Sequence, residues 1–340
     1  MKSLQSPMIA EWGITTLIKV MATQMIQLQS KHLMGVLNIT PNSFSDGGQY
    51  NQKESCFSKI NDLLSQQVSY LDCGAESTAP FNEACTLKDE CQRFEEILFP
   101  ALIKLSKGYE HQVFFDSGTL SIDTYRPETF HFVASFIRSK WPTLKLIWND
   151  VSGILDSETL SILNSFSHCD YVYCHNLAPT RNKVQNHKEY SYNGPDLEDS
   201  FIDHLYDYFN QGLDFFNKEG LTPRVVFDPC FGFSKTMMQN KVLLSHLTSL
   251  IGRFPVEVRW LIGVSRKSFL QDAVKGYRRG AQDWSVVESL HCGLLSLWFQ
   301  KLREYTLIFR VHEPHVFHGA LQASSFFSMK EEELRPPKEI

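Results

Sequence analysis

The chain has 340 residues, 43% of them hydrophobic and 21% charged, which supplies a sizeable core at near-average composition for a soluble globular protein. Its formal net charge of -5 gives no global attraction to nucleic acid or anionic lipid, so an anionic substrate must be held by locally placed basic groups. No run reaches the roughly 20 apolar residues of a membrane span, and residues 1–30 lack the basic start, apolar block and cleavage site of a signal peptide.

Residues 1–30 read as an N-terminal extension outside any repeat. From there short β-rich apolar runs alternate with longer stretches of helical period. A strand over 33–38 precedes a helix over 54–67, and a strand over 68–73 precedes a helix over 87–106. The pairs continue as 119–124 with 127–140, 144–149 with 157–165, and 170–175 with 197–218. The last three are 224–229 with 235–251, 259–264 with 282–303, and 306–311 with a short helix over 320–327. The polar stretch 176–194 reads as a long loop, and 329–340, with its Glu run and paired prolines, as a disordered tail.

Strands that alternate with helices imply parallel pairing and right-handed crossovers. Eight such units, about the 250 residues a barrel needs, predict a single (β/α)8 TIM barrel over residues 31–328. An open doubly wound sheet is the second choice.

Eight cysteines run from Cys56 to Cys292. Cys73, Cys174 and Cys230 sit in or beside apolar runs and read as buried free thiols, which points to a reducing, cytoplasmic compartment. Cys169, Cys174 and His175 fit no common zinc spacing.

The strand ends carry the chemical signal. Asn38, Asp72, Asp123, Asn149, His175, Asp228, Lys267 and Arg310 each follow an apolar run directly or within a few residues. In a barrel those ends converge on one face, where active sites lie. One polar strand end is ordinarily a cap for the next helix; one in every unit implies a polar pocket. Carboxylates, amides and cations together suit a heterocycle with several N–H donors joined to an anionic group. A Walker loop, a GxGxxG, an HExxH and a clustered cysteine set are all absent.

Several segments resemble, in order, the motifs of the dihydropteroate synthase family. Residues 34–48, Met-Gly-Val-Leu-Asn-Ile-Thr-Pro-Asn-Ser-Phe-Ser-Asp-Gly-Gly, are similar to its first signature, and Ala75-Glu-Ser-Thr78 to part of the second. Ser121-Ile-Asp-Thr124, Asn149-Asp150, residues 227–235, Ser265-Arg-Lys-Ser268 and Arg310-Val-His312 follow. The likeness covers about residues 32–320. It implies condensation of 6-hydroxymethyl-7,8-dihydropterin pyrophosphate with p-aminobenzoate, the step that sulfonamides block.

By that resemblance Asp228 accepts the ring's amide N–H and exocyclic amine in a fork, Asn149 and Asp123 meet other ring nitrogens, and Lys267 donates to the carbonyl and N5 edge. Asn38, Arg310 and His312 take the pyrophosphate, with Mg2+ shared between Asn38 and the phosphates. The benzoate lies against Phe233 and Pro80, its carboxylate at Ser268 and the helix start that follows. Thr78, Phe44 and Asp46 belong to two loops that close over it and exclude water. A homodimer is expected by family analogy, with no nucleic-acid or membrane partner.

The chain also departs from the pattern. Ser77-Thr-Ala-Pro-Phe81 replaces Ser-Thr-Arg-Pro-Gly, and Asn42, Cys230, Ser234 and Glu313 stand where Asp, Gly, Gly and Asp are usual. The ring residues are intact while the lid is altered. Two alternatives therefore stand beside the synthase: a pterin-binding methyltransferase of the same barrel, and a non-catalytic pterin-binding paralogue.

Overall fold

A computed structural model describes residues 32–40, 48–76, 84–194, 198–277 and 284–328. The expected N-terminal extension and C-terminal tail lie outside these residues.

Eight parallel strands close in sequence order: β1 (Leu33–Asn38), β2 (Tyr70–Gly74), β3 (Thr119–Asp123), β4 (Lys145–Asp150), β5 (Cys169–Cys174), β6 (Val225–Asp228), β7 (Arg259–Ile262) and β8 (Leu307–Val311). Pairing of β1 with β8, Leu33 opposite Phe309, excludes the open sheet.

The strand period of two sorts the side chains. Met34, Ile147, Val172, Val226, Leu261 and Ile308 fill the barrel interior as one apolar layer, with Tyr70 packed on it. Their strand neighbours, such as Trp148, Tyr171, Phe227, Trp260 and Phe309, face outward into the core shared with the helices. Burying one such Phe contributes about 1.5–3 kcal/mol. Gly35 sits on that outer face, where an added Cβ would lie 2.9 Å from Leu63. The helix carrying Leu63, α1 (Gly48–Ser65), thereby packs close to β1.

The other helices follow their strands. Among them α2 (Pro127–Lys140) and α3 (Ser157–Ser165) span the expected residues. Pro127 supplies a preset first turn, and Asp156 accepts the Thr159 N–H as the cap of the next helix. The expected helix over 87–106 is interrupted by a π turn, Phe94–Leu98, between Leu87–Arg93 and Phe99–Leu105. The last helix begins at Pro314, six residues before the expected 320. A short helix, Gln112–Ser117, precedes β3; too brief to show a period, it was not foreseen.

Residues 176–194 are also more ordered than a plain loop. Arg181–Glu189 winds as 3-10 turns. Arg181 anchors it, donating to Asp150 Oδ2 at 2.6 Å, Ser152 Oγ at 2.9 Å, Thr159 Oγ1 at 2.7 Å and the Tyr125 carbonyl at 3.0 Å.

Candidate active site

The interior layer explains where the polar strand ends point. Two residues beyond an inward apolar side chain the next side chain faces the axis again. Ile147 is thus followed by Asn149, Val226 by Asp228, Ile308 by Arg310, and Tyr70 by Asp72. Registry levels the set: Asn38 pairs with Gly74, Gly74 with Asp123, and Asp123 with Asn149. Above this layer lies a cavity of about 530 Å³ at the C-terminal mouth of the barrel. Asn38, Asp123, Asn149, Asp228, Phe233, Lys267, Ser268, Arg310 and His312 all line it.

Asp72 forms the hub of the floor. Fully buried, it accepts from Ser121 Oγ at 2.6 Å, Asn149 Nδ2 at 3.2 Å and Arg310 Nε at 2.7 Å. A second guanidinium nitrogen of Arg310 donates to Asp123 Oδ2 at 2.8 Å. Burial and the Asp72 charge push Asp123 above the usual carboxylate range, while Arg310 pulls it back. The Asn149 amide is fixed by Asp72 through its nitrogen, which leaves its buried Oδ1 without a partner among the described residues. An unpaired buried acceptor costs about 1–3 kcal/mol, which a ligand N–H would recover.

Asp228 is held from one side. Its Oδ1 accepts the Cys230 N–H at 2.7 Å, and Oδ2 has no hydrogen-bond partner among the described residues. Burial raises its pKa to about 6, opposed by Cys230, Lys267 and Lys235. The turn after β6 that carries Cys230 is tight, with Cys230, Gly232 and Ser234 all at positive φ. It brings Phe233 to the cavity, where the ring stacks on His187 at 4.2 Å and lies 5.0 Å from Lys267 Nζ. Burial, aided by Arg310, lowers Lys267 to about 8. His312 donates or accepts with Ser265 Oγ at 3.0 Å, and burial beside three cations lowers it to about 3, so it is neutral near pH 7.

Residues 34–296 match the family model described as pterin binding enzyme. This chain belongs to the pterin-binding enzyme family. A dihydropteroate synthase from Synechocystis is 28% identical over 243 residues, covering 70% of this chain and 73% of that one. A folate synthesis bifunctional protein from Arabidopsis thaliana is 28% identical over 273 residues, or 78% of this chain; the alignment spans about half (51%) of its length. Among solved structures, the Xanthomonas albilineans dihydropteroate synthase with 4-aminobenzoic acid aligns with a TM-score of 0.65 at 22% identity, covering 88% and 94% of the two chains. That likeness establishes the shared barrel.

Within this family member those of the expected site residues that are described line one cavity, with three qualifications. Arg310, expected on pyrophosphate, is engaged by Asp72 and Asp123 and completes the floor. His175 follows β5 but faces outward, packed on Tyr208, with its Nδ1 2.8 Å from Lys235 Nζ and its Nε2 3.1 Å from His204. Burial and Lys235 keep it neutral, so it is no cation of the pocket. Ser268 lies at the mouth, but the helix that it opens, Ser268–Ala273, has fewer than two turns. Asp46, Phe44, Thr78, Ala79 and Pro80 lie outside the described residues.

The cysteine reading needs correction. Cys174 and Cys230 are joined as a disulfide with Cα atoms 5.6 Å apart; the other six cysteines are free. They are 56 residues apart in sequence, and only closure of β5 against β6 brings them together.

Sequence reasoning missed other lining residues. Glu76 reaches the cavity and is held by Arg126 Nη1 at 2.5 Å, which also meets Glu90 at 2.8 Å. His187 and Lys188 enter from the 3-10 turns. The polar 176–194 stretch was the available signal for them; nothing in it singled out those two positions.

Proposed function

We propose that the chain is a dihydropteroate synthase of folate biosynthesis, a transferase that joins 6-hydroxymethyl-7,8-dihydropterin pyrophosphate to p-aminobenzoate and releases pyrophosphate. The observation that carries this reading is the pair of open acceptors, Asp228 Oδ2 on β6 and Asn149 Oδ1 on β4, which line one cavity together with the Lys267 cation.

A planar pterin with adjacent amide and amine donors fits such acceptors. Asp228 takes the donor pair, Asn149 a ring N–H, and Lys267 the carbonyl and N5 edge. Asp123 orients Arg310 and closes the floor beneath the ring. Departure of pyrophosphate leaves positive charge at the exocyclic methylene, so the task is mostly electrostatic stabilisation and positioning. Asn38, His312 and the remaining Arg310 N–H groups meet the phosphates, and Lys267 adds its charge. The aryl amine, neutral at pH 7, attacks without a strong base. Phe233, backed by His187, presents an apolar face to the benzene ring, and Ser268 meets its carboxylate.

Magnesium is compatible with this arrangement. The Asn38 side chain lines the cavity and makes no hydrogen bond among the described residues, and Mg2+ characteristically takes few protein ligands, keeping waters and phosphate oxygens. Bound there, the ion would neutralise the pyrophosphate. We also place the enzyme in the cytoplasm, on its six free cysteines, and expect a homodimer. No helix among the described residues is long and apolar enough to cross a membrane.

The methyltransferase alternative is not favoured, because the Ser265-Arg266-Lys267-Ser268 segment lines the cavity as the synthase motif requires. Pyrophosphate release from the dihydropterin ester tests the reading. Release that depends on p-aminobenzoate and yields dihydropteroate supports it; pterin binding without condensation would instead favour the non-catalytic paralogue.

A further inference from the structure

We propose that Cys174 and Cys230 are a redox modification site that sets the affinity of the cavity for its pterin, the disulfide being the tight-binding form. This rests on the pterin reading given above.

The two cysteines occupy unequal places. Cys174 ends β5 opposite Asp228 in register, and its carbonyl is fixed by the Tyr208 hydroxyl at 2.8 Å and the Asn176 N–H at 2.9 Å. Cys230 lies in the turn after β6 and lines the cavity. Its backbone φ of 56° is in the left-handed region, which a side chain disfavours. This same residue gives the Asp228 carboxylate its one described hydrogen bond, from N–H to Oδ1. Its carbonyl accepts from the Phe233 N–H at 3.1 Å and Lys235 Nζ at 3.2 Å. Cys230 therefore orients the Asp228 carboxylate, holds the aromatic wall, and keeps an unfavourable backbone state through a covalent tie to a rigid strand.

A small dithiol reductant entering through the cavity cleaves the S–S bond. Its two thiols give up two electrons and two protons and close to a cyclic disulfide, and Cys174 and Cys230 become thiols. A low-molecular-weight disulfide reverses the step by exchange, releasing two small thiols. Once the tie is cut, Cys230 relaxes from the left-handed region and its N–H swings away from Asp228. The carboxylate loses its orientation, and Phe233 loses its anchor. A bound pterin, covering the cavity side of Cys230, slows the reduction.

The test uses the full chain oxidised with glutathione disulfide or reduced with dithiothreitol. Alkylation under denaturing conditions should count six thiols in the first and eight in the second. Calorimetric titration with 6-hydroxymethylpterin should show about tenfold weaker binding after reduction, the loss of roughly one oriented hydrogen bond. Cys174→Ser should bind like the reduced protein in either buffer. In Cys230→Gly, which leaves Cys174 without a disulfide partner, affinity should be the same in the two buffers. Eight thiols in the oxidised protein, or equal affinity in the two states, overturns the proposal even if the variants fail to fold. Six and eight thiols with no pterin binding in either state overturns the functional reading, and the coupling with it.

Discussion

Arg310 bridges two carboxylates, donating to Asp72 at 2.7 Å through Nε and to Asp123 at 2.8 Å through a terminal nitrogen. Asp72 has no solvent contact, so this guanidinium offsets a charge that water cannot. Arg310→Met should therefore destabilise the barrel, by about 3–5 kcal/mol if the Asp72 charge is left unpaired, and should weaken bare pterin as well as its pyrophosphate ester. Combining it with Asp72→Asn removes the stranded charge. Thermal unfolding should then recover most of the loss, and pterin binding should return while ester binding stays weak. Full recovery of ester binding in the double variant would show that Arg310 has no part in holding phosphate.

Pterin affinity should be greatest between about pH 6 and pH 8. Asp228 accepts donors only when ionised, and burial has raised it to about 6, so binding falls as pH drops below that value. Lys267 donates only when protonated, and burial has lowered it to about 8, so binding falls again above it. Each limb should approach roughly tenfold per pH unit. Lys267→Met should flatten the alkaline limb and leave the acid one, as calorimetry across buffers would reveal. A flat profile in the native protein would mean that neither group bears on the ring.

Much of this was legible in the chain. The barrel followed from eight strand and helix periods, and the floor from polar residues two positions beyond inward apolar ones, as in Ile147 and Asn149. What escaped depends on distance in sequence. Asp72 was visible as a strand end, but its role as the partner of Arg310, 238 residues away, exists only when β8 closes on β1. Cys174 and Cys230 looked like buried thiols because pairing needs β5 beside β6. His187 and Lys188 carried no periodic signal, since Arg181 fixes their turns through bonds to the barrel rim. His175 misled for the opposite reason: it does follow a strand end, but its side chain faces outward, held by Lys235 and packed on Tyr208.

The altered second loop bears on the aryl amine. Ala79 stands where the family's pattern has arginine, and one charge-assisted contact is worth roughly 1.5–3 kcal/mol. The native protein should show a high KM for p-aminobenzoate and low sensitivity to sulfonamides. Ala79→Arg should lower that KM at least about tenfold. If KM is unchanged or higher in the variant, closure in this chain relies on other residues.

The most direct test is a calorimetric titration of the native protein and Asp228→Asn with 6-hydroxymethylpterin. The amide accepts more weakly and turns an NH₂ toward a ring donor, so binding should weaken by about 1–3 kcal/mol for each donor left unpaired. The account predicts a loss of tenfold or more, or no measurable heat. Equal affinity in the two proteins would contradict it, because the ring would then not be held by the carboxylate at the end of β6.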